Sequence, residues 1–436
     1  MATYDSYKDS GVKWLGQIPS HWEVKKLRSF LCPFSDRNHA DKQLLSVTRD
    51  RGVIVRGAKG DDDNHNVIPE DLSGYKYVQP GDFIINKMKS WQGSYGVSDF
   101  EGIVSPAYFT YHLKIANRKF FSLALRSKAY IPFFMQFSKG IRVDQWDLTP
   151  DALKAIPFFL PPQKEQEAIV SYLDKVTADI DKAIEAQQKM IDALNERKQI
   201  IITRAVTRGL NPDAPLKDSG IDWLGQIPEH WEIVPLKSRC KFGQSLNITK
   251  ADLTEDGYPV VSYGQIHSKL NSRTSLTDEL IRFVPEVYAT KYPNCICHKG
   301  DFLVADTSED LLGCGNVVYI DQDADILAGY HTYSLKNVSI GNPKFLAYLL
   351  ASDIWRFQIR SLVNAVKVYT ISKSIIKQSL IWFPSKKEQD AIVDSLDVAI
   401  SKIDDMLKVS RNTISLLQER KQIIINEVVT GKKKVI

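Results

Sequence analysis

DSGVKWLGQIPSHWEVKKL, residues 9–27, returns at residues 218–236 as DSGIDWLGQIPEHWEIVPL, with 13 of the 19 aligned positions identical. A second pair follows. Residues 164–207 and 387–430 share 21 of 44 positions, among them KEQ, AIV and ERKQIII. The chain therefore reads short motif, variable block, long run, and then all three again. The blocks between, roughly 28–155 and 237–378, show no comparable match. Two copies of one frame around two unlike inserts imply a scaffold that presents two different readers. A target with two unlike halves calls for that arrangement.

The repeated runs predict long helices. Neither 163–208 nor 385–430 contains Gly or Pro. Each follows proline (Pro161-Pro162; Pro384), whose predecessor is pushed out of the α region. Each stops at glycine (Gly209; Gly431), a common C-terminal cap. Apolar residues recur every three or four positions, from Ile169, Leu173, Val176 and Ile180 to Ile201, and from Ile392, Leu396, Ala399 and Ile403 to Ile424. That is a coiled-coil stripe. A helix of about 45 residues runs roughly 65–70 Å. Neither helix can bury its stripe alone, and antiparallel packing on each other is the simplest solution. The stiff linker Asn211–Pro215 then leads into the second motif, as in a ring cut once. Tandem domains on separate helical hairpins would need two long helices per copy, and only one is supplied.

The expected fold is mixed α/β. Two globular α/β domains are separated by two long antiparallel coiled-coil helices in a pseudo-two-fold, circular organisation. The expected boundaries are a motif at 1–27, a first domain at 28–155, a helix at 156–209, linker and second motif at 210–236, a second domain at 237–378 and a second helix at 379–436. Asp82–Asn86 and Asp301–Ala305 follow Pro80-Gly81 and Lys299-Gly300, and each reads as a turn and then a buried strand. Lys119–Lys128 and Pro343–Arg360 have helical spacing.

Composition is that of an ordinary soluble protein, 43% hydrophobic and 25% charged. No apolar run approaches the ~20 residues that span a bilayer. The first residues lack a signal-peptide layout, so a cytoplasmic location is expected. Five cysteines, an odd count, make no disulfide framework. Cys295, Cys297, His298 and Cys314 lack a second ligand pair at zinc spacing and read as structural thiols; no metal site is expected. Net charge is +5 with pI ≈ 8.7. Block 28–155 holds 18 Lys+Arg among its 128 residues, several in clusters. That suits a binder gripping a few phosphates, and equally a solvated basic surface.

The pattern resembles the specificity subunit of Type I restriction-modification enzymes over almost the whole chain. The doubled WLGQIPxHWE and the two KEQxAIV…ERKQIII runs carry it. So do PGDFIINKMKSWQGSYG with GIVSPAY in the first block, and GDFLVADTSED with AGYHTYSL in the second. The resemblance implies two domains each reading half of a split DNA site, with the helices setting the unread spacer. It implies two methyltransferase subunits along the helices, motor-nuclease subunits joining that core, and methyl transfer to adenine N6. S-adenosylmethionine, ATP and Mg would sit on those partners, with no cofactor on this chain. Consistently, there is no GxxxxGK[ST] loop and no Asn/Asp-Pro-Pro-aromatic motif. Pro150-Asp151 with Lys154 is only a fragment of a nuclease pattern. The chain is expected to catalyse nothing. A coiled-coil scaffold that binds no DNA explains the helices but not two large unlike inserts.

DNA contacts are expected from polar loop residues, since bases are read by Arg, Lys, Asn, Gln, Ser and Thr. In the first block these are Arg49, Arg51, Arg56 and Lys59, ahead of an acidic loop Asp61–Asn66, then Lys87, Lys89, Ser90, Gln92 and Arg142. In the second they are Gln244, Asn247, Lys250, Gln265, His267, Lys269, Thr307 and Ser308. Asp306 reads as orienting a neighbour. Trp91 either stacks on DNA or anchors its loop. Trp14, Trp22, Trp223 and Trp231 read as structural. The turns Glu196-Arg197-Lys198 and Glu419-Arg420-Lys421 serve either partner binding or an intramolecular lattice.

Overall fold

The computed structural model describes residues 3–57, 68–140, 146–363 and 368–435. Lys59, the loop Asp61–Asn66 and Arg142 lie outside them. The chain forms two compact units, one from residues 1–188 with 411–436, the other from 189–410. The long helices are Gln163–Arg208 and Lys386–Val429, within a residue of the proline and glycine punctuation. Each gives one half to each unit.

The first unit holds a four-stranded antiparallel sheet in the order Leu31–Pro33, Phe109–Leu113, Phe83–Ile85, Tyr95–Val97. Beside it lie the hairpin Leu45–Thr48/Gly52–Val55 and the pair Lys76–Val78/Gly102–Val104, linked by a parallel bridge between Leu44 and Ile103. The second unit repeats both patterns. Its first sheet runs Cys240–Phe242, Thr332–Asn337, Phe302–Ala305, Val317–Tyr319. Its second runs Arg282–Val284, Tyr258–Val261, Ile326–Ala328, Ile296–Cys297, again with one parallel neighbour pair. The blocks are unlike in sequence and alike in strand order. What they share is alternation and turn position, which set strand pairing without fixing residue identity.

Pro343–Arg360 is two helices rather than one, Pro343–Ala351 and Asp353–Arg360. Ser352 divides them because its extended backbone lets its hydroxyl accept from the Trp355 N–H, a typical N-cap. The nuclease-like fragment is the first turn of a short helix, Pro150–Ala155, capped by Thr149.

The repeated words are contact partners. Glu165, in the first turn of the first long helix, accepts from Trp22 Nε1 at 3.1 Å and from the Tyr4 hydroxyl, and pairs with His21 Nε2 at 2.7 Å. Burial and this carboxylate push the Tyr4 hydroxyl well above its ordinary pKa. In the second unit Glu388 takes Trp231 Nε1 at 3.2 Å and His230 Nε2 at 2.7 Å. The neighbouring glutamines, Gln166 and Gln389, donate to the Pro161 and Pro384 carbonyls. Each glycine after a long helix lies against the opposite clasp. Gly431 is left-handed at φ 72°, and a Cβ there would sit 2.3 Å from Pro19 Cδ. Gly209 lies against Trp231 and Glu388. Just beyond the clasps, Glu23–Lys26 pairs with Pro157–Leu160, and Glu232–Pro235 with Leu380–Phe383. Each variable block is thereby closed at its base.

In each unit the helix halves run antiparallel. In the first, Ile169, Leu173 and Ile180 share a core with Ile424, Val428 and Val429. In the second, Ile202, Ala205 and Val206 meet Ile392, Val393, Leu396 and Ile400. Lys421 pairs with Asp181 in the first unit and Lys198 with Asp404 in the second, both at 2.7 Å. These four are equivalent positions of the duplication.

Candidate nucleic-acid interface

In the first unit the face is built around the hairpin tip Arg49–Arg51. Gly52 has φ 73°, which permits the tight reversal. The Arg126 guanidinium pins the tip, donating to the carbonyls of Arg49 (3.1 Å), Asp50 (2.7 Å) and Tyr95 (2.7 Å). Burial pulls Arg126 below its ordinary pKa. Arg49 and Arg51 are left exposed. A concavity of about 420 Å³ gathers Arg49, Arg56, Lys89 and Gln92 with Tyr75 and Tyr108. A second, of about 490 Å³, gathers Arg49, Gln92, Arg126 and Lys128.

One of the expected contacts turns inward and another is taken up in an ion pair. Ser90 is fully buried, and its hydroxyl donates to the Lys87 carbonyl. Lys87 Nζ is paired with Asp147 at 2.9 Å. The loop carrying them is tied down, since Leu148 N donates to Lys87 O. Trp91 anchors that loop, donating to Met88 O and lying edge-on to Trp146 at 5.6 Å. Arg126 was missed because an arginine at the end of a short helix, Arg118–Leu125, carries no local mark of the tip that it holds.

In the second unit Leu246 and Ile248 are buried, while Gln244, Asn247 and Lys250 between and beside them are exposed, as is Lys269. Gln265 turns back to accept from Ser262 N in a capping box. Both nitrogens of His267 are engaged, Nε2 with Thr307 O (2.7 Å) and Nδ1 with Asn316 Nδ2 (3.1 Å). Ser308 is buried and donates to Asp310 O. Thr307 donates to Asp306 Oδ1, which also holds His331 Nδ1 at 2.8 Å. So Gln265, His267, Thr307 and Ser308 form a supporting lattice. Asp306 does orient a neighbour, His331, which sequence spacing did not single out.

On the helices the ERK turns divide. Lys198 and Lys421 enter the cross-helix pairs, whereas Glu196, Arg197, Glu419 and Arg420 face outward. Exposed Ile200 and Ile423 lie beside them. Trp22 and Trp231 are buried and structural; Trp14 is partly exposed but docks on Phe133 at 4.7 Å. Cys295, Cys297 and Cys314 are free, buried thiols in three separate apolar clusters. Burial pushes the Cys297 thiol up to about 12. Among the described residues no helix is long and apolar enough to cross a membrane.

A family model described as the Type I restriction modification DNA specificity domain matches the chain twice, over residues 19–190 and 228–415. The chain is 26% identical over 467 aligned positions to the Type I restriction enzyme MjaVIII specificity subunit of Methanocaldococcus jannaschii, covering 98% of this chain and 97% of that one. It is also similar to a chain solved in work on complex assembly and conformational transition of the type I R-M system, with a TM-score of 0.64 and 14% identity, over 95% of this chain and 99% of that one.

Proposed function

This chain belongs to the Type I restriction-modification DNA specificity family, and on that footing we propose that each unit reads one half of a bipartite duplex site. DNA target recognition is the role of the subunit. The observation that carries the two-reader reading is the repeated strand order inside two blocks unlike in sequence, each closed at its base by the same clasp. The long helices set the unread spacer between the halves. Outward Glu196, Arg197, Glu419 and Arg420 dock two adenine-N6 methyltransferase subunits, and motor-nuclease subunits join that assembly in the cytoplasm. S-adenosylmethionine, ATP and Mg belong to those partners; this chain binds none of them and positions DNA without catalysing. The purified chain therefore incorporates no methyl groups into DNA from S-adenosylmethionine, whereas the chain with its modification partners does. Methyl incorporation by the chain alone would overturn this division of labour.

In the first unit the DNA face runs through Arg49, Arg51, Arg56, Lys89 and Gln92. Arg49→Ala and Arg51→Ala should each either lower the salt slope of duplex binding by roughly one unit, as a lost phosphate contact, or cost about 1–3 kcal/mol at one base position. Lys87→Ala should have the smaller effect, because its ammonium is held by Asp147 at 2.9 Å and is 32% exposed, where the Arg49 side chain is 63% exposed. Titrations at several salt concentrations check this, and a parental response from both arginine variants would move the DNA face elsewhere.

A further inference from the structure

We propose that the imidazole of His331, held by Asp306, reads one base edge in the half-site bound by the second unit. This rests on the reading above that the unit binds duplex DNA.

The backbone is the first observation. His331 has φ 55°, one of three non-glycine residues in the left-handed region among those described. Histidine enters that region more readily than most residues, though still at a cost, and the conformation persists where the surroundings over-determine it, often at functional sites. Here the turn is locked from below. Gly329 N donates to Val261 O at 2.8 Å, and a Cβ on Gly329 would fall 2.1 Å from Ser262 Oγ. Tyr330 N donates to the same Ser262 hydroxyl, and Tyr263 N donates to Tyr330 O.

The ring is the second. Nδ1 pairs with Asp306 Oδ1 at 2.8 Å, and Thr307 donates its hydroxyl to the same oxygen at 2.7 Å. Asp306 is itself fixed, its N–H donating to His331 O and its carbonyl accepting from Ile371 N at 2.7 Å. The Tyr263 and Tyr330 rings stand edge-on at 5.5 and 3.9 Å. The imidazole is 37% exposed, and Nε2 has no hydrogen-bond partner among the described residues. A side chain this constrained, partly exposed and with one ring nitrogen unpaired among the described residues, is pre-organised for a directional contact.

Charge selects the ligand. The Asp306 carboxylate lies directly against the ring, and Glu309 and Asp310 follow on the same exposed stretch of chain, a poor seat for a phosphate. With Nδ1–H donating to Asp306, the neutral imidazole offers its lone pair at Nε2. It therefore suits an exocyclic amino group in the major groove, adenine N6 or cytosine N4.

The test uses the full chain assembled with its modification partners, a cognate duplex found by sequencing methylated host DNA, and a panel with each base pair of the site changed. H331N is the first variant, since asparagine tolerates left-handed backbone and keeps the turn. Discrimination should fall roughly ten- to hundredfold at one position of one half-site, with the salt slope unchanged. D306N, a positioning change, should weaken that same position. An equal loss on every duplex with the slope lowered by about one would make His331 a phosphate contact and overturn the proposal. Unaltered discrimination in both variants would overturn it too. A parent assembly that binds no duplex strikes the DNA reading itself, a different outcome from either.

Discussion

Exchanging residues 28–155 for the matching block of a relative changes one half of the methylated DNA site and leaves the other half as it was. The exchange is physically reasonable because of where the block is closed. Its two ends meet just inside the strand pair Glu23–Lys26/Pro157–Leu160, and the clasp of Trp22, His21 and Glu165 lies outside the grafted residues. The graft keeps the sheet order and brings new outward side chains, which is how a rigid scaffold changes specificity. Sequencing of N6-methyladenine in a host carrying the chimaera and its partners is the measurement. The expected result is all-or-none in the exchanged half. A change in both halves, or in neither, removes the two-reader model.

The second large effect is on stability. Glu165→Ala should destabilise the first unit by about 2–4 kcal/mol, because a buried carboxylate is lost and three donors, on Tyr4, His21 and Trp22, lose their acceptor. For a unit of this size that is a fall of roughly 4–16 °C in its melting transition. Glu388→Ala should cost less, about 1–2 kcal/mol. The Glu388 side chain is 29% exposed against 8% for Glu165, and it holds two donors rather than three. Calorimetry of the parent and both variants decides it. Equal shifts, or a larger one for Glu388→Ala, would mean that the clasps do not draw their strength from burial.

These clasps mark the limit of what the sequence reveals. The unbroken runs 163–208 and 385–430 were legible as helices to within a residue because Pro161-Pro162, Pro384, Gly209 and Gly431 are local signals and nothing between them breaks the period, while the wider segments 156–209 and 379–436 also take in the strands Pro157–Leu160 and Leu380–Phe383. The repeated HWE and KEQ could be seen to matter without it being visible that they touch, since Trp22 and Glu165 are 143 positions apart. The Ser352 break was legible in principle, as a serine three residues before a helical N–H, but the spacing of apolar residues runs straight across it. At the site, Arg49, Arg56, Lys89 and Gln92 were recognisable by residue type in a polar loop. Type alone does not say which way a loop side chain turns. Ser90, His267 and Ser308 have the right chemistry and spend it inside. His331 gave no signal, because a positive φ outside glycine leaves no mark in the letters.

The discontinuous make-up of the first unit has a consequence for how the protein is made. Ribosomes release chains from the N-terminus, and domains ordinarily fold in that order. Here the second unit, residues 189–410, is contiguous and has all its parts once residue 410 emerges. The first unit, though synthesised earlier, lacks residues 411–436 until then. During that interval Ile169, Leu173 and Ile180 wait without Ile424, Val428 and Val429. The nascent chain must carry that half-covered apolar stripe through the synthesis of the whole second unit, and the domain begun first is the one finished last.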